Sequence, residues 1–141
     1  MDKTLQKKME EKGVYFTHLV KELINTLIKA NKPLSIQEIL KAFGKANFFP
    51  YRSSLYRQLL RLSKLSFIEE SVFSDGIKKY CFIYEMNHHH HFECGKCGYV
   101  RNIPMKKCED ISVYVSKSLR KTGHKITSHS FTLKGLCPKC A

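Results

Sequence analysis

Two Cys-x-x-Cys pairs constrain the fold of this chain of 141 residues more than any other feature. The first pair is Cys94 and Cys97, and the second is Cys137 and Cys140. A thiolate zinc site needs four soft ligands at the corners of a tetrahedron, and each Cys-x-x-Cys turn supplies two of them. We therefore predict one structural zinc ion, closed to substrate, that ties the end of the chain back across a small intervening domain. The alternatives are a redox dithiol or unpaired thiols.

The charge balance indicates a polyanionic partner. The formal net charge is +13, which favours binding to nucleic acid or to an anionic membrane surface. The first residues, MDKTLQKKMEEKG, contain no apolar signal core. Since the sequence also has no apolar run of about 18 residues, no membrane-spanning segment is predicted. We expect a soluble, cytoplasmic protein.

Two helices are predicted in the first third of the chain. Thr17 can cap a helix that runs to about Ala30 with one apolar face. The segment Ser35-Ile-Gln-Glu38 is a capping box, so a second helix is expected to begin there. Residues 44–50 are expected to form a turn, and residues 2–12 a short helix or a loose arm.

A third helix and a hairpin are predicted to follow. Residues 52–64 carry leucines at helical spacing, which would form a buried stripe. Asp75-Gly76 is a strong hairpin signal between two predicted strands, residues 67–73 and residues 78–84. Three helices followed by a two-stranded hairpin are typical of a winged helix-turn-helix domain.

The third helix lies in a stretch without carboxylates, since no Asp or Glu occurs between Ile39 and Ile68. This charge asymmetry is expected where a helix meets phosphate and the major groove, although a solvated helix face is the alternative. Arg57 can bond bidentately to guanine, and Tyr56 can contact phosphate or a thymine methyl group. The predicted DNA-binding residues are Arg52, Ser54, Tyr56, Arg57, Arg61 and Lys64.

Four consecutive histidines precede the first Cys-x-x-Cys pair. Imidazole suits zinc, iron, nickel and copper. If the run is extended, alternate side chains point to opposite sides. His88 and His90 would then serve one metal site, and His89 and His91 another. The alternatives are an expression tag or a solvated polar hinge.

Further metal ligands must come from elsewhere in the C-terminal half, and the obvious candidates are Glu109 and His129. Glu109 lies on a predicted amphipathic helix, residues 107–122, and His129 on a predicted strand, residues 126–133. Residues 99–103 also have a strand-like pattern. The C-terminal half is therefore expected to be a small α/β domain.

Four segments carry a family resemblance: Ser54–Arg57, His88–Gly98, Thr127–Ser130 and Cys137–Cys140. In these segments the chain resembles the ferric uptake regulator family of bacterial metal-dependent repressors, which includes zinc-uptake and peroxide-stress regulators. The resemblance covers nearly the whole chain. It implies a homodimer that binds palindromic double-stranded DNA operators, with Tyr56 and Arg57 in contact with the DNA.

The resemblance also implies how the metals are distributed. It assigns the structural zinc to the four cysteines, and a second, regulatory divalent metal, Zn2+ or Fe2+, to His88, His90, Glu109 and His129. A third site at the hinge would use His89 and His91. Its further ligands would be Cys81, Glu69 or Glu70, because this chain departs from the iron-responsive members at Pro33, Phe82 and Asn102.

The predicted fold class is α+β, with a winged helix-turn-helix DNA-binding domain in residues 1–84. A metal-binding dimerisation domain with a structural zinc is predicted in residues 85–141. The predicted function is a metal-responsive transcriptional regulator, most simply a repressor, of metal homeostasis or metal-linked stress genes. The alternative is a metal-storage or chaperone protein without operator binding, which would leave the basic helix unexplained. An enzyme is not predicted, because the four-cysteine site is closed and no acid–base constellation is visible.

Overall fold

The structure is a computed structural model, which describes the residues 3–83, 89–104, 113, 115–117, 119, 121–124 and 131–141. The chain divides into two compact units, Met1–Tyr84 and Glu85–Ala141. Across the described residues, every helix is too short or too polar to span a bilayer. Helices and small sheets occur as separate segments of the chain, so the fold class is α+β.

The first unit contains four helices and a small sheet. The helices are α1 (Lys3–Glu11), α2 (His18–Ala30), α3 (Ile36–Lys45) and α4 (Arg52–Lys64). The strands are β1 (Leu34–Ser35), β2 (Ile68–Val72) and β3 (Lys78–Phe82). The sheet order is β1-β3-β2, and both pairings are antiparallel. This is the predicted winged helix-turn-helix arrangement, in which α3 and α4 form the helix-turn-helix and β2 and β3 form the wing.

The predicted starts of α2 and α3 are confirmed, and side-chain hydrogen bonds cap both helices. The Thr17 hydroxyl accepts a hydrogen bond from the amide of Val20 at 3.3 Å. Both halves of the capping box are present: the Glu38 amide donates to the Ser35 hydroxyl at 3.2 Å, and the Ser35 amide donates to the Glu38 carboxylate at 2.8 Å. Each bond satisfies an amide that the first helical turn leaves without an intrahelical partner.

The predicted turn over residues 44–50 begins too early, since α3 continues through Gly44 to Lys45. Glycine in a helix interior costs roughly 1 kcal/mol relative to alanine. Here the bare backbone of Gly44 lies under the ring of Phe49, where an added Cβ would be 3.6 Å from a ring carbon. Gly44 is therefore helical and packs against the following turn, although its low helix propensity predicts that the helix ends there.

One apolar core holds the first unit together. Its members come from all four helices and all three strands. The predicted leucine stripe of α4, Leu55, Leu59 and Leu62, is fully buried in it. Burial of a leucine side chain contributes about 1.5–3 kcal/mol, so this stripe fixes which face of α4 is left toward solvent.

The second unit contains a three-stranded sheet in its described part. Its strands are β4 (His89–Cys94), β5 (Val100–Pro104) and β6 (Thr132–Gly135), in the order β5-β4-β6. β4 pairs antiparallel with β5 and parallel with β6. Residues 113, 115–117 and 119 are helical, in agreement with the predicted helix, but residues 121–123 form a turn, so the helix ends before the predicted residue 122. Most of the predicted strand 126–133 lies outside the described residues.

Candidate metal centre and nucleic-acid interface

The four cysteine sulfur atoms form a cluster with the dimensions of a zinc site. The Sγ atoms of Cys94, Cys97, Cys137 and Cys140 lie within 4.8 Å of one another. The Sγ atoms of Cys97 and Cys137 are 3.7 Å apart. A tetrahedron with Zn–S bonds of about 2.3 Å has sulfur–sulfur edges of about 3.8 Å. The donor set and its spacing therefore fit a structural zinc ion.

Two parallel strands bring the two Cys-x-x-Cys turns together. Cys94 ends β4 and is paired with Gly135 at the end of β6. Because the two strands are parallel, both turns follow at the same end of the sheet. A backbone hydrogen bond of 2.9 Å from Gly95 to Gly135 extends this pairing beyond the strands. The ring of Phe92 covers Gly135 so closely that an added Cβ would be 3.1 Å from it. A residue larger than glycine would therefore require the Phe92 ring to move by a few tenths of an ångström.

Hydrogen bonds within the cluster shift the pKa values of Cys94 and Cys140 in opposite directions. Backbone amides, chiefly that of Cys137 and then that of Cys97, lower the pKa of Cys94 to about 6. The Cys137 amide donates to the Cys94 sulfur at 3.3 Å. Hydrogen bonds to the sulfur atoms of Cys137 and Cys97 raise the pKa of Cys140 to about 12. The amides favour a thiolate at Cys94, whereas ionising all four groups needs the positive charge of a bound cation.

The last three residues of the histidine run, His89, His90 and His91, lie in an extended strand, as the alternation argument assumes. His90 and His91 are adjacent in β4 and pair with Ile103 and Asn102 of β5. His90 is buried and stacks on Phe131 with 3.6 Å between ring centroids, and His91 is also buried. Successive side chains of a strand point to opposite faces, so the strand separates these two histidines. The backbone of His89 belongs to β4, whereas His88, Glu109 and His129 lie outside the described residues.

A buried acid next to the histidine run was not singled out from the sequence. Glu93 lies two residues after His91 in β4, and it is buried. The period of two in a strand places both side chains on one face of the sheet. The signal that points to it is an acid at strand spacing after a histidine. Buried carboxylates are uncommon unless they have partners.

The expected soft and acidic ligands of the hinge site lie on the wing sheet. Cys81 of β3 is buried and pairs with Glu69 of β2. Burial raises the pKa of Glu69 above its usual value. Glu70 differs, because its carboxylate lies 3.1 Å from the ammonium group of Lys78. Among the three proposed ligands, Cys81 and Glu69 are therefore the adjacent pair.

The exposed face of α4 carries most of the predicted DNA-binding residues. Arg52, Tyr56 and Arg57 are exposed, and Tyr56 keeps 51% of its surface. The guanidinium group of Arg57 donates to the Ser54 hydroxyl at 3.4 Å. These side chains border an open cleft of about 540 Å³ between the start of α3, helix α4 and the wing. Its charged lining residues are Arg52, Arg57, Glu70 and Lys78.

The surroundings of Arg61 differ from those expected of a solvated phosphate ligand. Its guanidinium group donates a hydrogen bond to the backbone carbonyl of Gly13, which follows α1. The same group lies over the ring of Tyr15, 5.6 Å from the ring centroid. Lys64, one turn further along α4, is exposed. The predicted basic residues of α4 therefore fall into two kinds of environment.

Comparison of the sequence with known proteins finds relatives that belong to one family. The sequence model described as "Ferric uptake regulator family" matches residues 11–134. The ferric uptake regulation protein of Bacillus subtilis (strain 168) is 30% identical over 90 residues. That alignment covers 62% of this chain and 58% of the relative.

Solved structures of similar fold extend over nearly the whole chain. The Helicobacter pylori ferric uptake regulator, described as having three functional metal binding sites, has a TM-score of 0.72 at 23% identity. The alignment covers 97% of this chain and 89% of that structure. The Campylobacter jejuni peroxide stress regulator has a TM-score of 0.71 at 22% identity, with coverages of 99% and 100%.

Proposed function

Because this chain belongs to the ferric uptake regulator family, we propose that it is a metal-responsive regulator of transcription, most simply a repressor. It binds a double-stranded DNA operator as a homodimer and regulates genes of metal homeostasis or metal-linked stress. The observation that carries the proposal is one chain that combines a four-sulfur cluster with a winged helix whose outer face is basic.

The DNA-reading element of this proposal is α4. Its apolar stripe is buried in the core, which leaves Tyr56 and Arg57 exposed on the opposite face. A recognition helix reads bases with such exposed side chains, and arginine is the commonest partner of guanine. Arg52, Ser54 and Lys64 supply contacts to phosphate, which orient the helix without reading sequence. Arg61 is treated separately below.

The structural metal of this proposal is zinc at Cys94, Cys97, Cys137 and Cys140. When bound, zinc neutralises the thiolates and contributes folding free energy to the C-terminal unit. The protein's own part is to hold the sulfur atoms at tetrahedral spacing by pairing β4 with β6. A dimer interface in this unit would depend on that folding.

Regulation in this proposal comes from metal bound by the histidine run. His88, His90, Glu109 and His129 form one ligand set, and His89 and His91 contribute to a separate hinge site completed by Cys81 or Glu69. A metal that binds one arrangement of the two domains more tightly favours DNA binding by that arrangement, and linkage makes the coupling reciprocal. A thiolate ligand would favour zinc over iron or manganese at the hinge.

Selection of binding sites from a pool of random duplexes tests the proposal. The full chain is treated with chelator, and Zn2+, Fe2+ or Mn2+ is then added in turn. We expect one of these metals to enrich a two-fold symmetric sequence, since a dimer reads two half-sites about one helical turn apart. Metal binding without enrichment of any sequence would instead support metal storage or delivery.

A pair of variants identifies the switch. His89→Ala with His91→Ala should abolish the metal dependence of DNA binding and leave the dimer intact, whereas His124→Ala serves as the control. His124 is exposed and hydrogen-bonds to Thr122. Unchanged metal dependence in the double variant would move the switch to the site that contains Glu109.

A further inference from the structure

The segment between α1 and α2 presents an exposed aromatic ring beside the recognition helix. Tyr15 is 76% exposed, although it lies between the buried Val14 and the half-buried Phe16. Large aromatic side chains on a folded surface remove apolar area from water when they meet a partner. Its neighbours in the chain are fixed in the core, so the exposure does not come from a loose terminus.

Backbone hydrogen bonds hold this segment in one conformation. The amide of Gly13 donates to the carbonyl of Glu10 at 2.8 Å, and the amide of Val14 donates to the carbonyl of Met9 at 2.9 Å. Gly13 has a φ of +79°, so this left-handed position ends α1 as glycine commonly does. Met9 and Val14 are both buried in the core. The carbonyl of Gly13 and the ring of Tyr15 are therefore fixed relative to that core.

Arg61 connects this fixed segment to α4. Its guanidinium group donates to the Gly13 carbonyl and lies over the Tyr15 ring, 5.6 Å from the centroid. A cation over an aromatic face is attracted by the electrons of the ring. A planar guanidinium has five donors in a fixed fork, so one bond to a carbonyl and one stacked face set its orientation. Arg61 thus holds the ring of Tyr15 against the helix that reads DNA.

The surface beside this contact is complementary to a phosphodiester backbone. A groove of about 390 Å³ runs along α4 here. Its four charged lining residues are all cationic, and the exposed Leu60 supplies an apolar floor. Its lining residues are Lys12, Arg57, Leu60, Arg61, Lys64 and Leu65.

We infer that Arg61 is a positioning residue for DNA binding, not a phosphate ligand, and that it holds the Tyr15 ring in contact with the DNA beside the site that Arg57 reads. The inference rests on the proposed function, because it needs operator binding. The ring contributes apolar contact with the sugar and base edges of the duplex, which neutralises no phosphate and therefore releases no counterions. Phosphate neutralisation at this groove falls to Lys12 and Lys64.

The salt dependence of operator binding separates these roles. For a phosphate ligand, loss of one cation reduces the slope of log K against log salt by about one. We expect that reduction for Lys64→Ala. We expect Tyr15→Ala and Arg61→Ala each to weaken binding about tenfold with the slope nearly unchanged. Tyr15→Phe should bind like the parent protein, because the ring and not its hydroxyl makes the contact.

Two measurements exclude indirect effects. Thermal unfolding of Tyr15→Ala should match that of the parent, because its ring is exposed, and Tyr99→Ala is the control for loss of an exposed tyrosine in the other unit. Coupling is tested by the double variant, since Arg61→Ala should cost little further affinity once Tyr15 is alanine.

Three outcomes would overturn the inference: unchanged affinity in Tyr15→Ala, a slope in Arg61→Ala reduced like that of Lys64→Ala, or additive losses in the double variant. Each of these requires that the parent protein binds a selected operator. If the parent enriches no sequence with any metal, the proposed function fails first.

Discussion

The helical unit and the cysteine-bearing unit bury different kinds of side chain. The first unit buries aliphatic and aromatic residues from four helices and three strands in one apolar cluster. Among the described residues of the second unit, the buried ones are mostly polar or sulfur-bearing: His90, His91, Glu93, Cys94, Val100 and Cys137. Hydrophobic burial therefore accounts for the first unit, whereas the described part of the second is organised around donor atoms.

Because the two units bury different side chains, they are vulnerable to different perturbations. Burial of apolar side chains away from water needs no bound ligand, so the first unit should fold without metal. A cluster of four thiols needs a cation to hold its charge, as the opposite pKa shifts of Cys94 and Cys140 indicate. We therefore expect each unit to respond to perturbations that the other ignores.

Removal of one zinc ligand should have the largest effect. Structural zinc contributes roughly 10–16 kcal/mol in small zinc-binding peptides. Cys137→Ser should lose the bound zinc, unfold the second unit and dissociate the dimer, while the first unit stays folded. Zinc content by mass spectrometry and amide hydrogen exchange in β4 and α4 measure the two responses separately.

Cys81→Ser is the matched control, because this cysteine is buried in the first unit outside the sulfur cluster. It should keep the zinc ion at the four-cysteine cluster and leave the second unit folded, whereas any metal at the proposed hinge site should be weakened. If Cys137→Ser remained fully metallated and dimeric, the assignment of the zinc site would be wrong.

A cavity in the core of the first unit should give the converse result. Leu59 is fully buried on α4, and truncating such a leucine costs roughly 2–5 kcal/mol. Leu59→Ala should lower the urea midpoint of the first unit without changing the zinc content. Leu60→Ala is the control, since the Leu60 side chain is 56% exposed. Equal losses in the two variants would mean that the α4 stripe is not what stabilises the unit.

The confirmed and missed elements show what sequence can reveal. The helices of the first unit were predictable because caps and apolar spacing lie within a few residues, as at Thr17 and Ser35. The two-residue strand β1 was not, because its pairing with β3 joins Leu34 to Tyr80, which is 46 residues further along the chain, and so short a strand has no pattern of its own. The contact between Arg61 and Gly13 joins residues 48 apart, and helical spacing alone predicts a solvated arginine there.

The second unit was predictable in a different way. The four cysteines were recognised because metal chemistry fixes their number and the spacing within each turn. The extended conformation assumed for the histidine run is observed from His89 to His91, whereas the division of the run between two metal sites stays a prediction. The parallel pairing of β4 with β6 was not predicted, because no local residue pattern specifies which distant strand is a neighbour.

Loss of a base contact tests whether the first unit alone reads DNA. Arg57→Ala should weaken operator binding by about 1–3 kcal/mol and relax base preference at one position in each half-site. Lys29→Ala removes the same charge from an exposed position on α2 and should leave base preference unchanged. Competition between matched and single-substituted duplexes measures the preference. If Arg57→Ala binds the operator with parental affinity and preference, α4 is not the reading helix.

The smallest predicted effect lies at the capping box of α3, where local sequence alone defines structure. Ser35→Ala removes the hydroxyl that accepts from the Glu38 amide, and loss of such a cap costs about 1 kcal/mol. Glu38→Gln keeps a side-chain oxygen for the Ser35 amide, so it should cost less than Ser35→Ala. Ser53→Ala, at an exposed position in the first turn of α4, should change the free energy of unfolding by less than about 0.5 kcal/mol. Since the cap lies in the first unit, chelating zinc should leave the difference between Ser35→Ala and the parent unchanged. A difference that disappears without zinc would show that the two units stabilise each other, and the contrast between them would fail.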